Sequence, residues 1–291
     1  MTSPWILAAR LRTLPASVAP VLVGTALAVR QGMFDLPIFL VTLATALLLQ
    51  VGANYANDVF DYLKGADRQR VGPMRVTQSG LLTPRQMLIG TGVVFGLAAL
   101  LGVYLVLIGG APIALVGIAS IVFALAYTAG PVPLAYRGLG EVAAFLFFGL
   151  IAVGGTYYLQ TRTYNVAALV AGLPQACLAA AILVVNNLRD LDTDRAAGKR
   201  TLAVRLGDRA TRVEYLALLS GAFLSLAALR GVGGIGWGFA LPWLAAPLAA
   251  RLGRALWQTP RSPALNPILA QTAQLNLVFA VLLAAGLLLP I

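Results

Sequence analysis

Between Asn186 and Arg200 the chain reads NNLRDLDTDRAAGKR, directly after twenty uncharged residues, VAALVAGLPQACLAAAILVV. Asn186, Asp190 and Asp194 are spaced four apart. A helix carried on from the apolar run aligns this amide and these two carboxylates along one face, with Asp192 pointing elsewhere. Carboxylates gathered against apolar surface repel one another and call for a counter-cation.

A second block, NYANDVFDYLKGAD, repeats the pattern after another apolar run: Asn57 and Asp61 are four apart, as are Asn54 and Asp58. Gly65 is placed to end that helix, leaving Asp67 on the following loop. The two blocks hold six of the ten acidic residues, and the chain's two lysines, Lys64 and Lys199, each lie just beyond one of them. Arg68, Arg70, Arg75 and Gln78 follow the first block, and Arg200 and Arg205 follow the second. Carboxylates with basic residues close behind suit Mg²⁺ bridging to a phosphate group whose outer oxygens are held by Lys and Arg. The chain has no histidine and one cysteine, Cys177. Imidazole metal sites, His-based triads and an internal disulfide are excluded, so a metal must be held by oxygen.

The elements that position these blocks are membrane helices. The chain is 59% hydrophobic and 11% charged, with a mean hydropathy of +0.86. Its uncharged runs approach the roughly twenty residues that a helix needs to cross ~30 Å of hydrocarbon. The N-terminal run continues past any cleavage site, so it reads as a first helix rather than a signal peptide. With it, runs near 36–53, 86–107, 112–128, 140–159, 166–185, 210–229, 233–250 and 266–290 predict about nine spans. The expected fold is therefore all-α: a polytopic membrane bundle with an internal repeat and cytoplasmic Asp-rich loops, forming a single domain over 1–291.

With the N-terminus in the cytoplasm, 18 of the 21 Lys and Arg fall on the cytoplasmic side, and only Arg30, Arg162 and Arg230 lie outside. This positive-inside bias accounts for the net charge of +11 without nucleic acid as a partner. It also expects both blocks at the cytoplasmic face of an inner (plasma) membrane. The connection YTAGPVPLAYRGLGE lies on the same side and is turn-rich. It offers Tyr127, Tyr136, Arg137 and Glu141 to a small aromatic or acidic substrate. Cys177 reads as core packing, and Trp237, Trp243 and Trp257 as interface markers.

At these residues the chain resembles the UbiA superfamily of intramembrane prenyltransferases. The segments that carry the resemblance are RLRTLPASVAPVLVGTALA, NDVFDYLKGAD, GPMRVTQSGLLTPRQ, YTAGPVPLAYRGLGE and NNLRDLDTDRAAGKRTLAVRLG. Within the superfamily it is most similar to the branch acting on 1,4-dihydroxy-2-naphthoate. The resemblance implies Asn57, Asp58, Asp61, Asn186, Asp190 and Asp194 as metal ligands, with two Mg²⁺ bridging the diphosphate. It implies Asn54, Arg68, Arg75, Gln78, Tyr127, Tyr136, Arg137, Arg189 and Arg200 as diphosphate or acceptor contacts. Asp67, Glu141, Lys64 and Lys199 are the catalytic candidates. The first motif departs from the evenly spaced pattern of other branches because its last acid lies past Gly65, so Asp67 can serve metal or acceptor. The implied reaction joins a polyprenyl diphosphate to the naphthoate ring with loss of CO₂, giving demethylmenaquinone. Rival readings are an acceptor such as 4-hydroxybenzoate or homogentisate, a phytyl donor, and an ion transporter. A transporter predicts acids along a route through both leaflets, whereas here nearly all gather at one face.

Overall fold

The computed structural model describes residues 3–66, 71–130, 133–233 and 236–289. All regular structure among them is helical. Helices α1 (Pro4–Ala9) and α2 (Pro15–Arg30) are joined by the 3-10 turn Leu11–Thr13 and meet at a 51° bend. The bend has a local cause, because Arg10 takes a left-handed conformation at φ 50 and Pro15 restarts the helix. Helix α3 (Leu36–Leu63) starts at Asp35, whose side chain accepts the Ile38 N–H. Helix α4 (Pro84–Gly109) starts with a capping box between Thr83 and Gln86. Gly110 then reverses the chain into the short α5 (Ala111–Ala126).

The second half repeats the theme. Helix α6 (Gly140–Thr161) contains a π-helical stretch at Leu146–Ile151. Helix α7 (Val166–Arg189) continues after Asp190 as α8 (Leu191–Ala196), and α9 (Leu202–Leu206) leads into α10 (Asp208–Gly233). A 3-10 segment (Trp237–Ala245), α11 (Ala246–Gln258) and α12 (Leu265–Leu288) complete the chain.

Among the described residues six helices are long and apolar enough to cross a membrane, and seven if the α1–α2 pair is one bent span. That is fewer than the nine expected. Helix α5 is apolar but only 16 residues long. The run at 233–250 is not one helix, because Pro242 interrupts it and Gly238 lies flat against the backbone of Gly286. A Cβ at Gly238 would fall 2.0 Å from the Gly286 carbonyl oxygen.

Helix α7 is the axis of the bundle, packed against α2, α6, α10 and α12. Small residues let backbones approach, as is usual where lipid supplies no hydrophobic drive between helices. Gly149 in the π-helical stretch faces Ala176 and Gly172 of α7, and Gly24 of α2 faces Val153 and Thr156. The main apolar core joins α2, α6, α7, α10, α11 and α12. Cys177 belongs to it, buried beside Gly221.

Candidate active site

Both acidic blocks sit on helix ends built in the same way. In α3 the chain turns at Gly65 (φ 71), with Gly65 N–H to the Tyr62 carbonyl at 2.9 Å and Ala66 N–H to the Asp61 carbonyl at 2.9 Å. In α8 it turns at Gly198 (φ 74), with Gly198 N–H to Arg195 O at 3.2 Å and Lys199 N–H to Asp194 O at 2.8 Å. Each is a Schellman ending, whose left-handed position only glycine takes without strain. It puts Asp61 and Asp194 at equivalent places in a last turn. There the helix dipole disfavours a carboxylate and favours a cation beside it.

The turns converge on one cation of the protein. The Lys199 ammonium lies 3.3 Å from Asp61 Oδ2 and 3.7 Å from Asp194 Oδ1, bridging the two blocks. Asp61, almost fully buried, also accepts from Arg75 at 3.3 Å and from the Tyr136 hydroxyl at 3.2 Å. The expected face of Asn186, Asp190 and Asp194 is present, since the Asn186 and Asp190 carbonyls accept the Asp190 and Asp194 N–H groups through the break between α7 and α8. Arg189 locks that face. It binds both oxygens of Asp190 at 2.8 and 2.5 Å, Asn186 Oδ1 at 2.9 Å and Asn266 Oδ1 on α12 at 2.8 Å.

These groups open on a cavity of about 1030 Å³. Asn54, Asn57, Asp61, Arg75, Tyr127, Asn186, Arg189, Asp190, Asp194 and Lys199 line its polar end. From there it runs between helices as an apolar arm past Leu49, Val103, Ile121, Phe147 and Ile151 to Leu105, Ile113 and Leu159. A charged head and a long apolar tail fit such a space together.

Other expected residues have different surroundings. Both Asp58 oxygens accept backbone N–H groups, from Thr77 at 2.9 Å and Val76 at 3.1 Å, so this buried carboxylate anchors the loop after α3 away from the cavity. Asn54 donates to the Ala9 carbonyl and to Thr13, holding the bent N-terminal pair. Lys64 donates to the Thr128 and Gly130 carbonyls at 2.7 and 3.3 Å. Both lysine ammoniums lie about 5 Å from the Tyr136 ring centroid, 4.9 Å for Lys64 and 5.0 Å for Lys199. Gln78, Arg137 and Arg200 are exposed and do not line the cavity, although the Arg200 N–H binds the Tyr136 carbonyl at 3.1 Å. Glu141 is buried behind the cavity wall. One of its oxygens accepts from Asn187 at 2.6 Å and the other has no hydrogen-bond partner among the described residues. Burial, then the charges of Glu141, Asp61 and Asp194, push the Tyr127 phenol above its ordinary range, so it stays a neutral donor. Asp67 and Arg68 lie outside the described residues.

Three cavity residues escape the reading of motifs. Arg10 donates to Asn57 Oδ1 at 3.1 Å, while Asn187 and Asn266 join the second block to α6 and α12. Nothing in their spacing marks them. Only the left-handed bend at Arg10 and the packing of α12 bring them in.

The donor set fits Mg²⁺. Asn57, Asp61, Asn186, Asp190 and Asp194 offer oxygen alone, and the Lys199 bridge demonstrates that Asp61 and Asp194 share a cation. No group of three or more acidic, His or Cys side chains among the described residues forms a cage of its own. Mg²⁺ characteristically uses one or two carboxylates and completes its shell with phosphate and water.

The sequence profile of the UbiA prenyltransferase family matches residues 17–267. A "1,4-dihydroxy-2-naphthoate octaprenyltransferase" of Mycobacterium tuberculosis is 40% identical over 97% of this chain and 96% of its own. That of Haemophilus influenzae is 38% identical over 98% and 95%. In fold the chain is similar to a UbiA homolog from Aeropyrum pernix, with a TM-score of 0.71, 17% identity and 95% and 97% coverage. A homolog from Archaeoglobus fulgidus bound to GPP and Mg²⁺ gives 0.67 at 13% identity, covering 97% of this chain and 99% of that one.

Proposed function

The chain belongs to the UbiA prenyltransferase family, and from that premise we propose that it transfers a polyprenyl group from polyprenyl diphosphate to 1,4-dihydroxy-2-naphthoate. Carboxylate loss accompanies the transfer and gives demethylmenaquinone, a step of menaquinone biosynthesis. The observation that carries this reading is the cavity, whose oxygen-rich, cation-lined head is continuous with an apolar arm between membrane helices.

Asn57, Asp61, Asn186, Asp190 and Asp194 would hold Mg²⁺, and we assign two ions, one to each block. Bound there, Mg²⁺ neutralises the diphosphate leaving group. Lys199 and Arg75, held by Asp61, are placed to turn toward diphosphate oxygens as charge develops on them. Arg189 keeps Asn186 and Asp190 in register. The apolar arm excludes water from the allylic centre, which would otherwise be hydrolysed. Arg10 and Arg12 bring positive charge to the polar end beside Asn57 and suit the acceptor's carboxylate. Tyr127 offers a hydroxyl donor to the acceptor ring. Glu141 acts through Asn187, and Asp67 remains the candidate for the acceptor's proton.

We propose nine crossings: the six long helices, the bent α1–α2 pair, α5, and the 3-10 segment with α11 as a broken span. The positive-inside bias supports an inner-membrane location with the acidic blocks toward the cytoplasm.

The test is transfer of a radiolabelled polyprenyl diphosphate to 1,4-dihydroxy-2-naphthoate in liposomes, with and without Mg²⁺, beside an Asp190→Ala variant. Mg²⁺-dependent product that vanishes in the variant is the expected result. Prenylation of 4-hydroxybenzoate or homogentisate instead would overturn the acceptor assignment, and no prenylation of any of the three would overturn the reaction.

A further inference from the structure

On the outer side of the bundle, away from the acidic blocks' cavity, α10 and the Trp237–Gln258 region enclose a second recess of about 690 Å³. Leu219, Phe223, Trp243 and Ala249 form its apolar walls, and small residues at Ala250 and Gly253 keep one side low. A Cβ at Gly253 would meet Leu216 at 2.8 Å, so glycine there sets how closely the helices approach. Apart from the Ser220 hydroxyl on α10, its polar residues stand at one end, where Arg254 and Gln258 lie beside the half-exposed Trp257.

The neighbouring contacts fix which end that is. Near the start of α10, Arg212 donates to the Leu256 carbonyl near the end of α11. Just beyond, Arg261 pairs with Asp192 at 3.0 Å and with Asp208 at 3.7 Å. The Arg254 end therefore lies level with the second acidic block, where the chain leaves the apolar layer. Trp243 and Leu224 extend the groove into that layer. Helix α11 matches a water–lipid boundary: Ala249, Leu252, Gly253 and Leu256 are buried, while Arg251, Arg254, Trp257 and Gln258 are exposed. Asp208 and Asp192 are already paired, and Arg254 has no acidic partner among the described residues.

We propose that this groove binds one anionic phospholipid of the surrounding bilayer, with an acyl chain along Phe223 and Trp243 and the phosphate on Arg254. An apolar slot alone accepts any lipid tail. The unpaired guanidinium at its boundary end adds the selection, because it grips phosphate through two parallel N–H donors and attracts a head group of net negative charge. Tryptophan at the same level supplies the usual interfacial anchor.

Native mass spectrometry tests this on the full chain released from vesicles of equal phosphatidylglycerol and phosphatidylcholine. The wild-type protein is expected to retain one phosphatidylglycerol in roughly fivefold preference over phosphatidylcholine, the factor that one arginine at an anionic surface supplies. Arg254→Gln should abolish the preference, Ala250→Phe should reduce retention of both lipids, and Arg251→Gln should change neither. Prenyl transfer by Arg254→Gln in excess lipid should match wild type, which certifies its folding. Equal retention of the two lipids by wild type, an unchanged preference in Arg254→Gln, an equal loss in Arg251→Gln, or a protein dimer in place of the lipid adduct would each overturn the proposal.

Discussion

Asp61 and Asp194 each lie four residues before the glycine turn that ends the helix, yet the long helices that lead to them, α3 and α7, have opposite surroundings. The apolar window of α3 is 22% buried and that of α7 is 67% buried. Helix α7 is packed into the bundle along most of its length, and Arg189 ties its last turn to α12. Helix α3 lies at the edge of the cavity and needs other anchors. It obtains them from its own acidic block: Asp58 holds the following loop through two backbone amides, and Asn54 holds the N-terminal pair. The two blocks are thus alike where they face each other and differ where they attach to the fold. The second depends less on its carboxylates for attachment, Asp192 pairing with Arg261 near the surface, because packing already fixes the helix that carries it.

The largest effects should fall on the shared part. Asp61→Asn and Asp194→Asn are each expected to lower kcat by about 10²–10³, the scale on which a single transition-state charge contact acts, while Tm changes little. A tenfold gap between the two variants would mean that one block dominates. Arg189→Lys should come next. Lysine cannot reproduce the fork that reaches Asp190, Asn186 and Asn266 together, so the Mg²⁺ concentration for half-maximal turnover should rise ten- to a hundredfold, as for other groups that orient metal ligands. An unchanged Mg²⁺ requirement would remove Arg189 from that role.

Asp58→Ala should reverse the pattern. Two buried N–H groups lose a charged acceptor, a loss of about 1–3 kcal/mol for each. A lower Tm with kcat of the folded enzyme largely kept is therefore expected, and a collapse of kcat at unchanged Tm would place Asp58 among the metal ligands after all. The smallest effect belongs to Lys64→Gln. Its ammonium caps loop carbonyls at the surface, so kcat should stay within about threefold, whereas Lys199→Gln should lose on the order of a hundredfold.

Much of this was legible from residue spacing. The four-residue rhythm of Asn186, Asp190 and Asp194 gives one face, and Gly65 stops α3 where a left-handed residue is needed. Spacing cannot tell Asp58 from Asp61, because both lie near the end of the same helix and differ only in what the folded loop brings to them. Nor does lying just beyond a block tell which task each lysine takes. Lys64 is the last residue of its turn and Lys199 lies two past the corresponding place, so one reaches outward and the other back across the site. The run at 233–250 is apolar enough for a span, but its proline and the Gly238–Gly286 contact act on geometry, which hydropathy does not register. Arg10 enters the site through a bend set by its own backbone.

Shared capture of one diphosphate by the two blocks is what the proposed mechanism requires. It is tested most directly by the binding of a non-reactive polyprenyl thiolodiphosphate across a Mg²⁺ titration to wild type, Asp61→Asn, Asp194→Asn and the double variant. A shared site predicts that each single substitution abolishes most of the Mg²⁺-dependent affinity and that the double variant is barely worse. Losses that simply add, or a single variant that binds as tightly as wild type at every Mg²⁺ concentration, would contradict it.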